Sequence, residues 1–122
     1  MVAPPPKLNS TPIIVSLYRF YHSFHTVLQH FPKSERYSLG ATCQSEALNV
    51  IHSCLQAANT NAKRPTEKFA HLQAASAHLD TLRLLICLSK DCRCLPNQAY
   101  QQLDSNLVEI GRMLGGWLKS VS

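Results

Sequence analysis

Large apolar residues in this chain recur at alternating intervals of three and four, and that spacing constrains its fold more than anything else. Ile14, Leu17, Tyr21, Phe24, Leu28 and Phe31 follow it, which places them along one face of a helix with 3.6 residues per turn. Leu72, Ala75, Leu79, Leu82 and Ile86 repeat the pattern, as do Tyr100, Leu103, Leu107, Ile110, Leu114 and Trp117. A less bulky stripe of Leu39, Cys43, Ala47, Val50, Cys54 and Ala57 lies between the first and the second of these. No window shows the sustained apolar/polar alternation of a strand, so the chain is expected to be all-α.

The breaks between stripes carry turn chemistry. Pro12 suits a first helical turn, and Phe31-Pro32 ends the first helix because the residue before proline is pushed out of the α region. Ser34 is a plausible N-cap for a second helix running to about Ala58. Asn59 to Pro65 is rich in turn formers, Thr66 can cap a third helix over residues 66–91, and the pattern breaks again around Cys92 to Pro96. Leu84, Leu85 and Leu88 widen the apolar surface of the third helix, so it should touch neighbours on two sides. Four helices joined by short loops predict an antiparallel up-down-up-down four-helix bundle over residues 12–122, with residues 1–11 a flexible N-terminal segment.

A chain of 122 residues fits one domain. With 45% hydrophobic and 16% charged residues it is too apolar to be disordered throughout. Its longest stretch without Asp, Glu, Lys or Arg, Ala47 to Ala62, is too short and too polar to span a bilayer. Met1 to Thr11 lacks the basic-then-apolar order of a secretion signal, and a cytoplasmic location is expected. Cys43, Cys54, Cys87, Cys92 and Cys94 are odd in number and read as buried or free thiols.

Catalytic chemistry finds little support. Cys92-x-Cys94 with Cys87 supplies soft ligands, but zinc sites pair ligands two to four residues apart in each half, and no second pair exists. No metal and no cofactor are expected. His22, His25 and His30 spread over different faces of the first helix, and His71 and His78 lie seven apart on the third. The carboxylates Glu35, Glu46, Glu67, Asp80, Asp91, Asp104 and Glu109 form no paired constellation for acid/base work. Neither a nucleophile elbow nor a phosphate-binding glycine loop is present, so an enzyme is not expected.

The basic residues are a better lead. Twelve Lys+Arg against seven Asp+Glu leave a net charge of +5, which suits an anionic partner. Lys33 and Arg36 lie at the first turn, Lys63, Arg64 and Lys68 at the second, and Lys90 and Arg93 flank the third. An up-down bundle brings its first and third connections to one end, which groups Lys33, Arg36, Lys90 and Arg93 as candidate phosphate contacts. The competing reading is a solvated rim that keeps the protein soluble. Gly111, Gly115 and Gly116 interrupt an otherwise good helix at roughly 1 kcal/mol each, a cost that close helix approach, within the chain or between copies, would offset.

Three segments carry a resemblance: Phe31-Pro-Lys-Ser-Glu-Arg-Tyr-Ser-Leu-Gly40, Leu84-Leu-Ile-Cys-Leu-Ser-Lys-Asp91 and Glu109-Ile-Gly-Arg-Met-Leu-Gly-Gly-Trp-Leu-Lys-Ser120. From about Ile13 to Ser120 the chain resembles the four-helix-bundle family that contains the accessory variability determinant (Avd) proteins of diversity-generating retroelements and the 23S rRNA intervening-sequence proteins. The closing Gly-Arg-Met-Leu-Gly-Gly-Trp run leans toward the Avd branch. The resemblance implies a basic homopentameric barrel that partners a reverse transcriptase and binds template RNA or another nucleic acid, supporting mutagenic cDNA synthesis without catalysing it. Carried onto this chain, it implies contacts at Lys33, Arg36, Lys90, Arg112 and Lys119. Pro96, Cys92 and Cys94 depart from the family pattern in the third connection. The alternative expectation is a structural protein-interaction module that binds no nucleic acid.

Overall fold

A computed structural model describes residues 2–8 and 11–122. Residues 1, 9 and 10, part of the N-terminal segment expected to be flexible, lie outside the described residues. Ahead of the bundle, Pro6–Leu8 form a single 3₁₀ turn, Pro4 is buried, and Arg19 Nε donates to the Val2 carbonyl oxygen at 3.2 Å. The chain then forms α1 (Pro12–Leu28), the one-turn helix α2 (Lys33–Arg36), α3 (Leu39–Asn59), α4 (Pro65–Asp91) and α5 (Asn97–Val121). The described residues contain no strand. The four long helices pack in the cyclic order α1, α3, α4, α5 and back to α1, so the protein is an all-α four-helix bundle.

Each long helix buries the face its spacing defines. α1 contributes Leu17, Phe24 and Leu28, together with Ile13 and Phe20, which the three-four stripe passes over. Tyr21, which belongs to that stripe, is only half-buried, and its hydroxyl accepts a hydrogen bond from Gln44 Nε2 at 2.7 Å. Phe24 is fully buried, stacked on Phe20 at 6.3 Å and met edge-on by Phe31 at 6.1 Å, geometries that aromatic quadrupoles favour. Cys43, Ala47, Val50, Cys54 and Ala57 face in from α3, while Leu39 is half-buried. Leu72, Ala75, Leu79, Leu82 and Ile86 face in from α4, and Leu103, Leu107, Ile110 and Leu114 from α5. The thiols of Cys43 and Cys54 sit in this core, and burial pushes their pKa values up to about 11 and about 12.

Four local features differ from the sequence-based expectation. α1 ends at Leu28, three residues early, because the His30 and Phe31 amides turn back to the Val27 and Leu28 carbonyls in tighter bonds at 2.9 and 3.1 Å. The second helix does not run unbroken from Ser34: after α2 the Ser38 amide bonds Glu35 at 3.3 Å, and the Ser38 hydroxyl donates at 3.2 Å to the Ser34 carbonyl that a continuing helix would use. α4 starts at Pro65, with Arg64 rather than Thr66 in the capping position. Finally, α4 packs on both α3 and α5 as expected, but Leu84 and Leu88 lie outside those contacts and are 69% and 45% exposed.

The α5 glycines divide. A Cβ on Gly111 would meet Leu79 Cδ2 at an ordinary 3.6 Å, and one on Gly115 or Gly116 would meet nothing within 4 Å, so no close approach within the chain explains them. The helix passes through them to Val121. Gly40 is the position where a close approach demands glycine, since an added Cβ would overlap Leu28 Cδ1 and press on Phe31 Cδ2 at 3.2 Å and the Glu35 carbonyl oxygen at 3.3 Å.

Candidate nucleic-acid interface

The first connection is built by Pro32, whose extended backbone turns the chain from the buried Phe31 into α2. Arg36, at the end of α2, reaches back, and its Nη2 donates at 2.8 Å to the carbonyl oxygen of Gln29, the C-cap of α1. A cation there answers both the unpaired carbonyls and the negative end of the helix dipole. Arg36 Nε is buried without a hydrogen-bond partner among the described residues. Arg36 is thus half-buried and partly committed to holding the connection, whereas Lys33 is exposed and makes no ion pair with a described residue.

The third connection is a Schellman turn. Arg93 adopts φ 61°, its amide bonds the Lys90 carbonyl at 2.9 Å, and the Cys94 amide bonds the Ser89 carbonyl at 2.8 Å. This pairing stops a helix at a left-handed residue, a position that usually holds glycine. In an L-residue with a side chain the left-handed conformation costs about 1–2 kcal/mol, so Arg93 is held at a conformational cost. Its side chain is exposed and makes no ion pair among the described residues. Cys94 and Leu95 bury themselves directly after it, and Pro96 restarts the chain as α5. Lys90, one turn back on α4, has its Nζ 4.4 Å from the Tyr100 ring centroid and 3.7 Å from the Asp91 carboxylate. The aromatic face beneath it positions the ammonium.

The two connections meet. Cys94 Sγ donates to Glu35 Oε2 at 3.9 Å, linking the third connection to α2. Burial, and then the adjacent Glu35 carboxylate, hold that thiol above its ordinary pKa. His30, Lys90, Arg93 and Asn97 border one cleft of about 530 Å³ floored by Cys94, Leu95 and Pro96. The bundle therefore gathers Lys90 and Arg93 with the first connection, and α2 brings Lys33 and Arg36 to the same end. The sequence marks His30 only as one of three histidines spread over the first helix, and it does not single out Asn97.

The remaining candidates lie elsewhere. Lys63 and Arg64 sit in the second connection at the opposite end, where Arg64 pairs with Glu67 at 3.5 Å. Lys119 is at the far end of α5, in a depression shared with Phe69, Gln73 and Asp80. Lys68 over Trp117 at 5.9 Å ties that end together. Arg112 lies on α5 and pairs with Glu109 at 2.8 Å. The 25 residues of α5 span roughly 37 Å, so the eight cations form two end groups, with Arg112 alone on the surface of α5, rather than a single patch. Cys87 is half-buried on α4, Cys92 is exposed and Cys94 is buried, and no three His, Cys, Asp or Glu among the described residues converge to hold a metal. No helix of the described residues is long and apolar enough to cross a membrane.

An all-helical bundle that closes its core with apolar side chains and carries seven of its eight candidate cations at its two ends defines the class of protein. Over residues 13–121 the chain matches the family model described as bAvd-like, and it belongs to that family. At the level of the family it is an accessory protein of a diversity-generating retroelement. No curated protein matches the chain significantly.

Proposed function

We propose that this protein is a non-catalytic, cytoplasmic subunit that holds the template RNA of a retroelement by its phosphates while a partner reverse transcriptase copies it. The protein works as a homo-oligomer, a pentamer by its family resemblance. The observation that carries the RNA reading is the end formed by the first and third connections, where Lys33 and Arg93 have no carboxylate partner among the described residues and Lys90 is held over Tyr100. Cations without internal partners at a rigid end are available to phosphate oxygens, and such contacts position a strand without reading its bases.

Filter binding of single-stranded RNA over a salt series tests this. Affinity is expected to fall steeply as salt rises, with a slope of about 0.7 per phosphate neutralised. The combined Lys33→Gln, Lys90→Gln and Arg93→Gln variant is expected to flatten that slope by about 2 and weaken binding by on the order of tenfold or more. Arg36 is left in place because its guanidinium braces the first connection. A salt-independent affinity, or an unchanged slope in the variant, refutes the reading. The exposed apolar residues Leu84, Leu88, Tyr18 and Leu48 favour the second reading, a module that binds only protein. Intact association with protein partners and no RNA affinity would establish that one.

A further inference from the structure

α4 carries two stripes. Opposite its buried face, Ala70, Ala74, Ala77, Thr81, Leu84 and Leu88 repeat at intervals of four and three, and all six are exposed and uncharged. The Thr81 hydroxyl is satisfied by the Ala77 carbonyl at 3.2 Å, so the ridge holds no polar group that burial would orphan. A heptad stripe with small residues at one end and leucines at the other is a seam on which another helix surface packs, and here it runs about 27 Å. On the opposite side of the bundle, α1 and α3 leave an apolar groove of about 450 Å³ lined by Tyr18, Tyr21, His22, His25, Leu48 and Ile51. α1 packs on α3 and α5 and stands diagonally across from α4, so ridge and groove face away from each other and no part of the described chain covers either.

We infer that the α4 ridge of one copy seats in the α1/α3 groove of a second copy. Charge favours this pairing over ridge against ridge. Asp80 borders Ala77 and Leu84 at the middle of the ridge and has no ion pair among the described residues. Two ridges packed on a two-fold axis would bring their Asp80 carboxylates together. α1, by contrast, has no acidic residue and exposes Arg19, His22 and His25. Because the two faces are unlike, every copy added leaves one ridge and one groove open until a ring closes. Copies related by rotation about an axis along the bundle carry their Lys33, Lys90 and Arg93 ends to a common rim. This inference deepens the homo-oligomer reading above, on which it rests for there being more than one copy.

Two variants of the full chain, Ala77→Glu on the ridge and Leu48→Glu in the groove, test it by sedimentation velocity, with circular dichroism to verify that each is helical. The unaltered chain is expected to sediment as an assembly larger than a dimer and each variant alone as a monomer. Their equimolar mixture is expected to form a 1:1 dimer and nothing larger, because Leu48→Glu keeps its ridge and Ala77→Glu keeps its groove. If the unaltered chain is itself monomeric, the homo-oligomer reading fails. If it assembles and both variants assemble equally well, or Leu48→Glu dimerises by itself, the ridge-in-groove contact alone is overturned.

Discussion

Replacing Gly40 with alanine sets two effects of opposite sign against each other at one atom. Gly40 is the second residue of α3, and in an open helix the change would stabilise by up to about 1 kcal/mol through backbone entropy. Here the new methyl overlaps Leu28 Cδ1 and lies 3.2 Å from Phe31 Cδ2 and 3.3 Å from the Glu35 carbonyl. Leu28 and Phe31 are 6% and 2% exposed, so neither side chain has free space to turn into, and the Glu35 contact is backbone, so α2 itself must move. Overpacking of this kind costs about 1–3 kcal/mol. With both core neighbours confined, the cost falls in the upper part of that range, leaving a net destabilisation of about 1–2 kcal/mol. For a domain of this size that lowers Tm by on the order of 3–8 °C. Thermal and urea unfolding followed by circular dichroism measure it, with Gly115→Ala and Gly116→Ala as controls. Those two methyls meet nothing within 4 Å and are expected to raise stability by about 0.5–1 kcal/mol each. A higher Tm for Gly40→Ala would mean that the first connection yields freely, and the rigid end assigned to Lys33 and Arg36 would lose its physical basis.

Arg93→Gly removes the left-handed strain and a cation together, so stability is expected to stay level or rise by up to about 1 kcal/mol while RNA affinity falls several-fold. A loss of more than about 1 kcal/mol contradicts the Schellman assignment. Phe24→Ala empties a fully buried site between Phe20 and Phe31 and is expected to cost about 3–5 kcal/mol in urea unfolding; a loss under 1 kcal/mol would show a loosely packed core. Under native conditions at pH 8 a thiol reagent is expected to label the exposed Cys92 quickly and to leave Cys43 and Cys54 unreacted until the protein is denatured. Fast labelling of all five cysteines contradicts the packing described. The folded pKa values of Cys43 and Cys54, about 11 and about 12 against an ordinary 9.0, mean that the folded state holds their protons more tightly. Their contribution to stability is full below pH 9 and is lost as pH rises through 11 to 12. Tm is therefore expected to fall more steeply over that range in the unaltered chain than in a Cys43→Ala, Cys54→Ala variant, and equal slopes refute the assignment.

Much of the candidate site was legible as composition and position: the cations at the turns could be named, and two of the turns could be paired by bundle topology alone. Their individual states could not. Lys33 and Arg36 stand three residues apart on one short helix, yet Lys33 is exposed while the Arg36 guanidinium is drawn onto the Gln29 carbonyl. Lys90 rests on Tyr100, ten residues along the chain. Lys63, Arg64 and Lys119 looked equivalent to the others by charge and fall at the opposite end.

By itself the sequence determined the four long helices and most of what they bury, because a three-four spacing marks one face of a helix from residues within a few turns of one another. Leu17, Val50, Leu82 and Leu107 are inside for that reason. Only the tertiary structure decided that no neighbouring helix covers Leu84 and Leu88, that Gly40 admits no side chain and that Cys94 meets Glu35. Each of these depends on which distant segment stands alongside, and a local period carries no information about that.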